Sequence, residues 1–79
     1  MVGQVVVNVR ADGTIVFNRK PLTAEQLQAK LVELSELFPD QAVILRGDLN
    51  VKYDHIVNVL DICRKANIWN VAFATARQE

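Results

Sequence analysis

A chain of 79 residues makes one folding unit, too short for two independent cores, and its 51% hydrophobic content with three Gly and two Pro lies far from disordered composition. Nine Lys and Arg balance nine Asp and Glu, so no long-range field draws in nucleic acid or an anionic membrane. One Cys and one His exclude an internal disulfide and any Cys-based metal site.

The run Gln4 to Arg10 alternates, with Val5, Val7 and Val9 on one side and Val6, Asn8 and Arg10 on the other, which is the period of a half-buried strand. Ala11-Asp12-Gly13-Thr14 follows, and Asp-Gly between two alternating runs predicts a short hairpin, because both residues tolerate positive φ. Thr14 to Asn18 is the return strand, with Ile15 and Phe17 directed at the core. Asn18-Arg19-Lys20-Pro21 reads as a polar turn, because Pro21 has no N–H to give to a central strand.

Thr23-Ala24-Glu25-Gln26 fits a capping box, with Leu22 and Leu27 placed for a hydrophobic staple, so a helix begins here. Its apolar stripe is Ala24, Leu27, Leu31, Leu34 and Phe38, with Leu37 beside it, and Pro39 ends it. Ala42-Val43-Ile44-Leu45 is apolar on both faces and predicts an interior strand.

A second helix runs from about Val51 to Ala66, its face built from Tyr53, Ile56, Val57, Leu60 and Cys63 and broadened by Val59 and Ile62. Asp54 in the first turn and Arg64-Lys65 in the last suit the macrodipole, Asp61 is placed to pair with Lys65, and Asn67 suits the left-handed residue after the helix. Asn70 to Thr75 is the last strand, with Val71, Phe73 and Thr75 opposite Ala72 and Ala74. The order is β-β-α-β-α-β, an α/β (α+β) fold with a mixed four-stranded sheet, its last two strands parallel and both helices on one face.

Sites with chemistry are sparse. Cys63 and His55 lie about 12 Å apart along the helix axis, too far for a nucleophile–base pair. Cys63 reads as a small buried hydrophobe, and His55 as an exposed or capping residue near the helix start. The carboxylates of Asp12, Asp40, Asp48, Asp54 and Asp61 show no metal-ligand spacing, and Gly3, Gly13 and Gly47 form no phosphate loop. No catalytic, cofactor or metal residue is assigned, and the chain is not read as an enzyme. Arg46-Gly47-Asp48 spells an adhesion tripeptide, but the local reading is that Gly47 permits a tight bend while Asp48 or Asn50 accepts from the N–H groups of the following helix.

Binding has more behind it. Val71-Ala72-Phe73-Ala74-Thr75 carries no Lys or Pro, so at a sheet edge it would accept a strand from a second copy or a partner, whereas at the sheet centre it would be paired on both sides. A domain this small buries only about 60–65% of its unfolded surface, so a second subunit would add stability.

The ordered series Ala11-Asp12-Gly13-Thr14-Ile15, Asn18, Leu27, Leu31, Pro39, Val43-Ile44, Arg46-x-Asp48, Val51-x-Tyr53, Val57, Asp61, Ile68, Val71-Ala72 and Thr75 resembles the periplasmic domain of the ExbD/TolR family of biopolymer transport proteins. The resemblance covers nearly the whole chain, from Val5 to Thr75. It implies a single periplasmic domain over residues 1–79 of an accessory stator subunit. Such a subunit is held in the bacterial inner membrane by one N-terminal helix, beside an ExbB/TolQ-like channel protein. It implies further that proton flow through that complex energises a TonB- or TolA-like protein, and that the domain forms a homodimer and contacts the energised partner or, in TolR-like members, peptidoglycan. Nucleic acid and cofactors have no place in it.

No apolar run here reaches the roughly 18–20 residues that span a bilayer, and no signal peptide is visible. The expectation is a soluble piece whose start, Met1-Val2-Gly3-Gln4, reads as excised from a longer protein. The family's proton-handling Asp therefore corresponds to no position here. Arg46, Asp48 and Tyr53 are expected to be a family signature shaping the strand-to-helix turn. Asn67 departs from the Gly that relatives commonly carry there, and Trp69 is either an exposed contact anchor or a cap on the core edge.

Overall fold

Two hairpins in series open the chain in the structure, a computed structural model that describes residues 3–76. Strand β1 (Gln4–Val9) pairs antiparallel with β2 (Ile15–Phe17), Val7 opposite Phe17 and Val9 opposite Ile15. The short hairpin expected at Asp12-Gly13 is present. Gly13 N–H donates to Arg10 O and Arg10 N–H to Thr14 O, both at 2.9 Å, and of the two turn residues only Gly13 (φ +93°) is left-handed. This is a three-residue loop, a type I turn closed by a left-handed glycine, and Asp12 Oδ1 fixes it by accepting from Thr14 N–H at 2.9 Å.

The polar turn expected over Asn18 to Pro21 is instead a second hairpin. Asn18 (φ +53°) and Arg19 (φ +67°) form a two-residue loop, and β3 (Lys20–Leu22) returns antiparallel to β2. Positive φ at both loop residues is the type I′ signature, whose twist matches that of the flanking strands. The sheet thus has five strands, not four. Pro21 is tolerated because β3 is an edge strand and needs no donor on its outer side.

Helix α1 (Ala24–Leu37) starts as expected: Gln26 N–H donates to Thr23 Oγ1 at 3.1 Å and Thr23 N–H to Gln26 Oε1 at 2.9 Å. Its covered face is narrower than the expected stripe, with Leu27 and Leu31 fully buried, Leu34 and Phe38 half-buried, and Ala24 and Leu37 exposed. Strand β4 (Ala42–Asp48) lies parallel to β1, and Gln41 ties their starts together by donating from Nε2 to Gly3 O at 2.7 Å.

Helix α2 (Tyr53–Lys65) ends in a Schellman motif, with Ile68 N–H on Cys63 O at 2.9 Å, Asn67 N–H on Arg64 O at 3.1 Å, and Asn67 left-handed at φ +61°. Buried Ile68 supplies the accompanying apolar contact. Strand β5 (Val71–Ala76) runs parallel to β4, giving the order β3-β2-β1-β4-β5.

Val5, Val7, Val9, Ile15, Val43 and Leu45 are buried in one cluster with Leu27 and Leu31 of α1 and Ile56, Val59, Ile62 and Cys63 of α2. Alternation along the strands puts those six strand positions on one face, so both helices cover the same face. Fully burying an aliphatic side chain of this kind stabilises by about 1.5–3 kcal/mol, and the cluster is the main source of stability. The opposite face is open, with Val6, Arg46, Ala72 and Ala74 exposed and Asn8, Val16 and Ile44 half-buried. Strand β4, expected to be an interior strand, is paired on both sides, by β1 and β5.

Candidate functional site

Strand β5 is the second edge of the sheet, and its direction of hydrogen bonding follows from one bond. Val43 N–H donates to Asn70 O at 2.9 Å, which turns the even-numbered groups of β5 toward β4. The N–H and C=O groups of Val71, Phe73 and Thr75 consequently point outward, where no strand among the described residues meets them. Their side chains lie on the helix-covered face, and those of Ala72 and Ala74 on the open one. Of the two readings of this stretch, the edge is the one the fold adopts. Arg77, the nearest charge, lies outside the described residues.

The expected inward-pointing Phe73 is only partly covered. The ring reaches over Gly47, where an added Cβ would lie 3.3 Å from Phe73 Cε1, 3.0 Å from Ile56 Cδ1 and 3.2 Å from Val51 Cγ1. Yet 52% of Phe73 is exposed, because no strand follows on its outer side. Gly47 therefore has a packing role rather than the expected bend: it lies within β4, buried, with three apolar side chains over its Cα. Helix α2 is also rotated from its expected orientation, burying Ile56, Val59, Ile62 and Cys63 while Tyr53, Val57 and Leu60 are turned outward. Trp69, just before β5, is 74% exposed, so it does not cap the core edge.

The signature residues are placed separately. Arg46 is exposed on the open face of the sheet, and Tyr53 projects from the first turn of α2, 80% exposed. Asp48 is buried, its Oδ1 accepting from Asn50 N–H at 2.8 Å and its carbonyl from Val51 N–H at 3.0 Å. Asp48 holds the loop after β4 and does not cap α2, whose N-cap is Lys52 with no side-chain bond. The burial of Asp48 also removes the adhesion tripeptide from display.

Titratable groups outside that turn are structural. Asp61 pairs with Arg64 and, at 3.2 Å, with Lys65; the Arg64 bond and then the Lys65 bond hold its carboxyl below the usual value. Burial pushes the Cys63 thiol up, in keeping with a small hydrophobe. His55 is not an exposed cap: it is half-buried beneath the first hairpin turn. Among the described residues no group of three or more His, Cys, Asp or Glu could hold a metal ion, and no helix is long and apolar enough to cross a membrane.

The sequence profile described as "Biopolymer transport protein ExbD/TolR" matches residues 3–78. The chain belongs to the ExbD/TolR family. Two curated ExbD relatives, both named biopolymer transport protein exbD1 and both from Xanthomonas campestris pv. campestris (strains B100 and ATCC 33913), are 25% identical over 71 residues. That alignment covers 90% of this ExbD/TolR chain and 51% of each relative, so the chain spans about half the length of the curated proteins it matches. Sequence reasoning left open whether Val71 to Thr75 lies at the edge or the centre of the sheet, and the strand order places it at an edge. It missed the exposure of Tyr53, Val57 and Leu60, because helical periodicity gives a stripe but not its rotation.

Proposed function

We propose that residues 1–79 are the single periplasmic domain of an accessory subunit in a proton-motive-force-driven complex, and that the domain dimerises and binds an extended segment of a TonB- or TolA-like protein along β5. The observation that carries this reading is the outward backbone edge of Val71, Phe73 and Thr75 with an exposed aromatic ring in the middle of it. Strand addition draws its affinity from such backbone groups and its specificity from alternate side chains. An incoming residue opposite Phe73 would project onto the helix-covered face, beside the uncovered part of that ring. Its two neighbours would fall beside Ala72 and Ala74, which are too small to discriminate. The edge therefore selects one bulky apolar residue flanked by unrestricted ones.

In this reading the domain has no catalytic task. A membrane helix elsewhere in the protein joins it to an ExbB/TolQ-like channel subunit in the inner membrane. Titrating labelled peptides from the linker of a cognate TonB- or TolA-like protein, with amide shifts read at Val71, Phe73 and Thr75, tests the proposal. Saturable binding at those amides supports it. Firm sedimentation with isolated peptidoglycan sacculi and no peptide binding would replace it with a TolR-like wall-anchoring role.

A further inference from the structure

At the strand-start end of the sheet, Gln41 joins the first residues of β1 and β4. Its Nε2 donates to Gly3 O at 2.7 Å and to Ala42 O at 3.0 Å, and exchanging the amide O and N would set acceptor against acceptor, so the orientation of the group is fixed. Gln41 is only 5% exposed, and its Oε1 is buried with no donor against it among the described residues. A buried acceptor in that condition carries a desolvation cost that a donor brought by a ligand would relieve.

Gln41 lines an open pocket of about 520 Å³ with Gly3, Leu37, Phe38, Pro39 and Asp40. Leu37 is 65% exposed, and a Cβ added to Gly3 would meet nothing within 4 Å, so that side of the pocket is clear. The surrounding groups accept hydrogen bonds rather than donate them. Helix α1 ends at the pocket wall with no basic residue in its last turn, and Pro39 has no N–H to give to Ser35 O. The negative end of the helix dipole is thus left uncompensated. Gln41 N–H on Phe38 O at 3.0 Å closes the turn that carries Asp40. The ion pairs among the described residues join Asp61 to Arg64 and Lys65, so the Asp40 carboxylate has no cationic partner there.

We infer that this pocket receives an arginine side chain of a partner polypeptide. The aliphatic stem lies along Leu37 and Pro39, and the guanidinium offers donors to Gln41 Oε1, to the Asp40 carboxylate and to the carbonyls that end α1. A planar fork of five N–H groups serves acceptors lying in several directions, whereas a bare divalent cation would find a single carboxylate to offset its charge. The site uses no group of the β5 edge and does not depend on the reading of that edge.

The test is a titration of the chain with acetyl-Gly-Arg-Gly-amide at low and at physiological salt. Its citrulline counterpart, which keeps the shape and the stem but not the charge, is titrated in parallel. The expected result is shifts at the Gly3, Gln41 and Ala42 amides and at the Gln41 side-chain amide. Affinity for the arginine peptide should be about tenfold above the citrulline one, a preference that shrinks as salt rises. Asp40→Asn and Leu37→Ala should each weaken the arginine peptide about threefold. Both side chains are exposed, so each variant keeps the parent circular dichroism spectrum and unfolding midpoint. Equal affinity for the two peptides, shifts that spare the Gln41 side chain or gather at Val71, Phe73 and Thr75, or no binding would each overturn the inference. Methylguanidinium displacing the peptide at equal concentration would also overturn it, by showing that a free cation and not a polypeptide side chain fills the pocket.

Discussion

Gly13 and His55 are in direct apposition: a Cβ added to Gly13 would stand 2.7 Å from both Cε1 and Nδ1 of the imidazole. The tip of the first hairpin is thereby seated on the first full turn of α2, across more than half the chain. Gly13 also has φ +93°, so Ala at this position meets both a steric and a backbone penalty. Gly13→Ala should destabilise by about 2–3 kcal/mol, read from denaturant unfolding. Combining it with His55→Ala should recover the steric part and leave the backbone part. A double variant as unstable as the sum of the singles would show that the ring and the glycine are not coupled.

The second hairpin carries an avoidable strain. Arg19 occupies a left-handed position that Asn-Gly sequences fill at lower cost. Arg19→Gly should raise stability by about 0.5–1 kcal/mol, read by calorimetry. An unchanged unfolding midpoint would show that the left-handed Arg19 carries no net strain.

Capping of α1 is a local, separable contribution. Thr23→Ala removes the acceptor for Gln26 N–H and should cost about 1 kcal/mol, with no change in strand pairing. Unfolding midpoints together with amide exchange in the first turn of α1 give the measurement.

Two surface carboxylates impose a pH dependence whose sign follows from their bonds. Thr14 N–H holds Asp12, and Arg64 and then Lys65 hold Asp61, below the ordinary carboxylate value in the folded chain. A lowered folded value means that the stability is present above the unfolded carboxylate range and is lost as pH falls through the folded one. Asp61→Asn should therefore be less stable than the parent at neutral pH, and the two unfolding midpoints should converge in acid. Curves that stay parallel down the acid range would show that the Arg64 and Lys65 bonds add nothing in solution.

Phe73→Lys tests the β5 edge. Half of the ring is already exposed, so the domain should remain folded with a loss of about 1 kcal/mol, while self-association by light scattering and peptide binding at β5 are lost. A variant that still associates and still binds would remove β5 from the interface.

Short-range chemistry was legible along the sequence. The Thr23–Gln26 box, the left-handed Asn67, the Asp61–Lys65 pair, the parallel last two strands and the membership suggested by the Arg46-x-Asp48 and Val51-x-Tyr53 spacings were all readable there. These depend on residues within a few positions of one another, or on the crossover that any strand–helix–strand unit must make. The second hairpin was hidden because Arg19 gives no outward sign of positive φ, and a three-residue strand containing Pro21 has no period to detect.

What only the tertiary structure decided is which surfaces remain unpaired. Val71 to Thr75 would have the same alternation in the middle of a sheet as at its edge, and Tyr53 would be equally helical buried or exposed. Edge and rotation are set by residues far apart in sequence, such as Val43 bonding to Asn70 and Gln41 to Gly3, and by where β2 stops against β1. Periodicity records which side of an element is apolar. It does not record what, if anything, comes to lie against it.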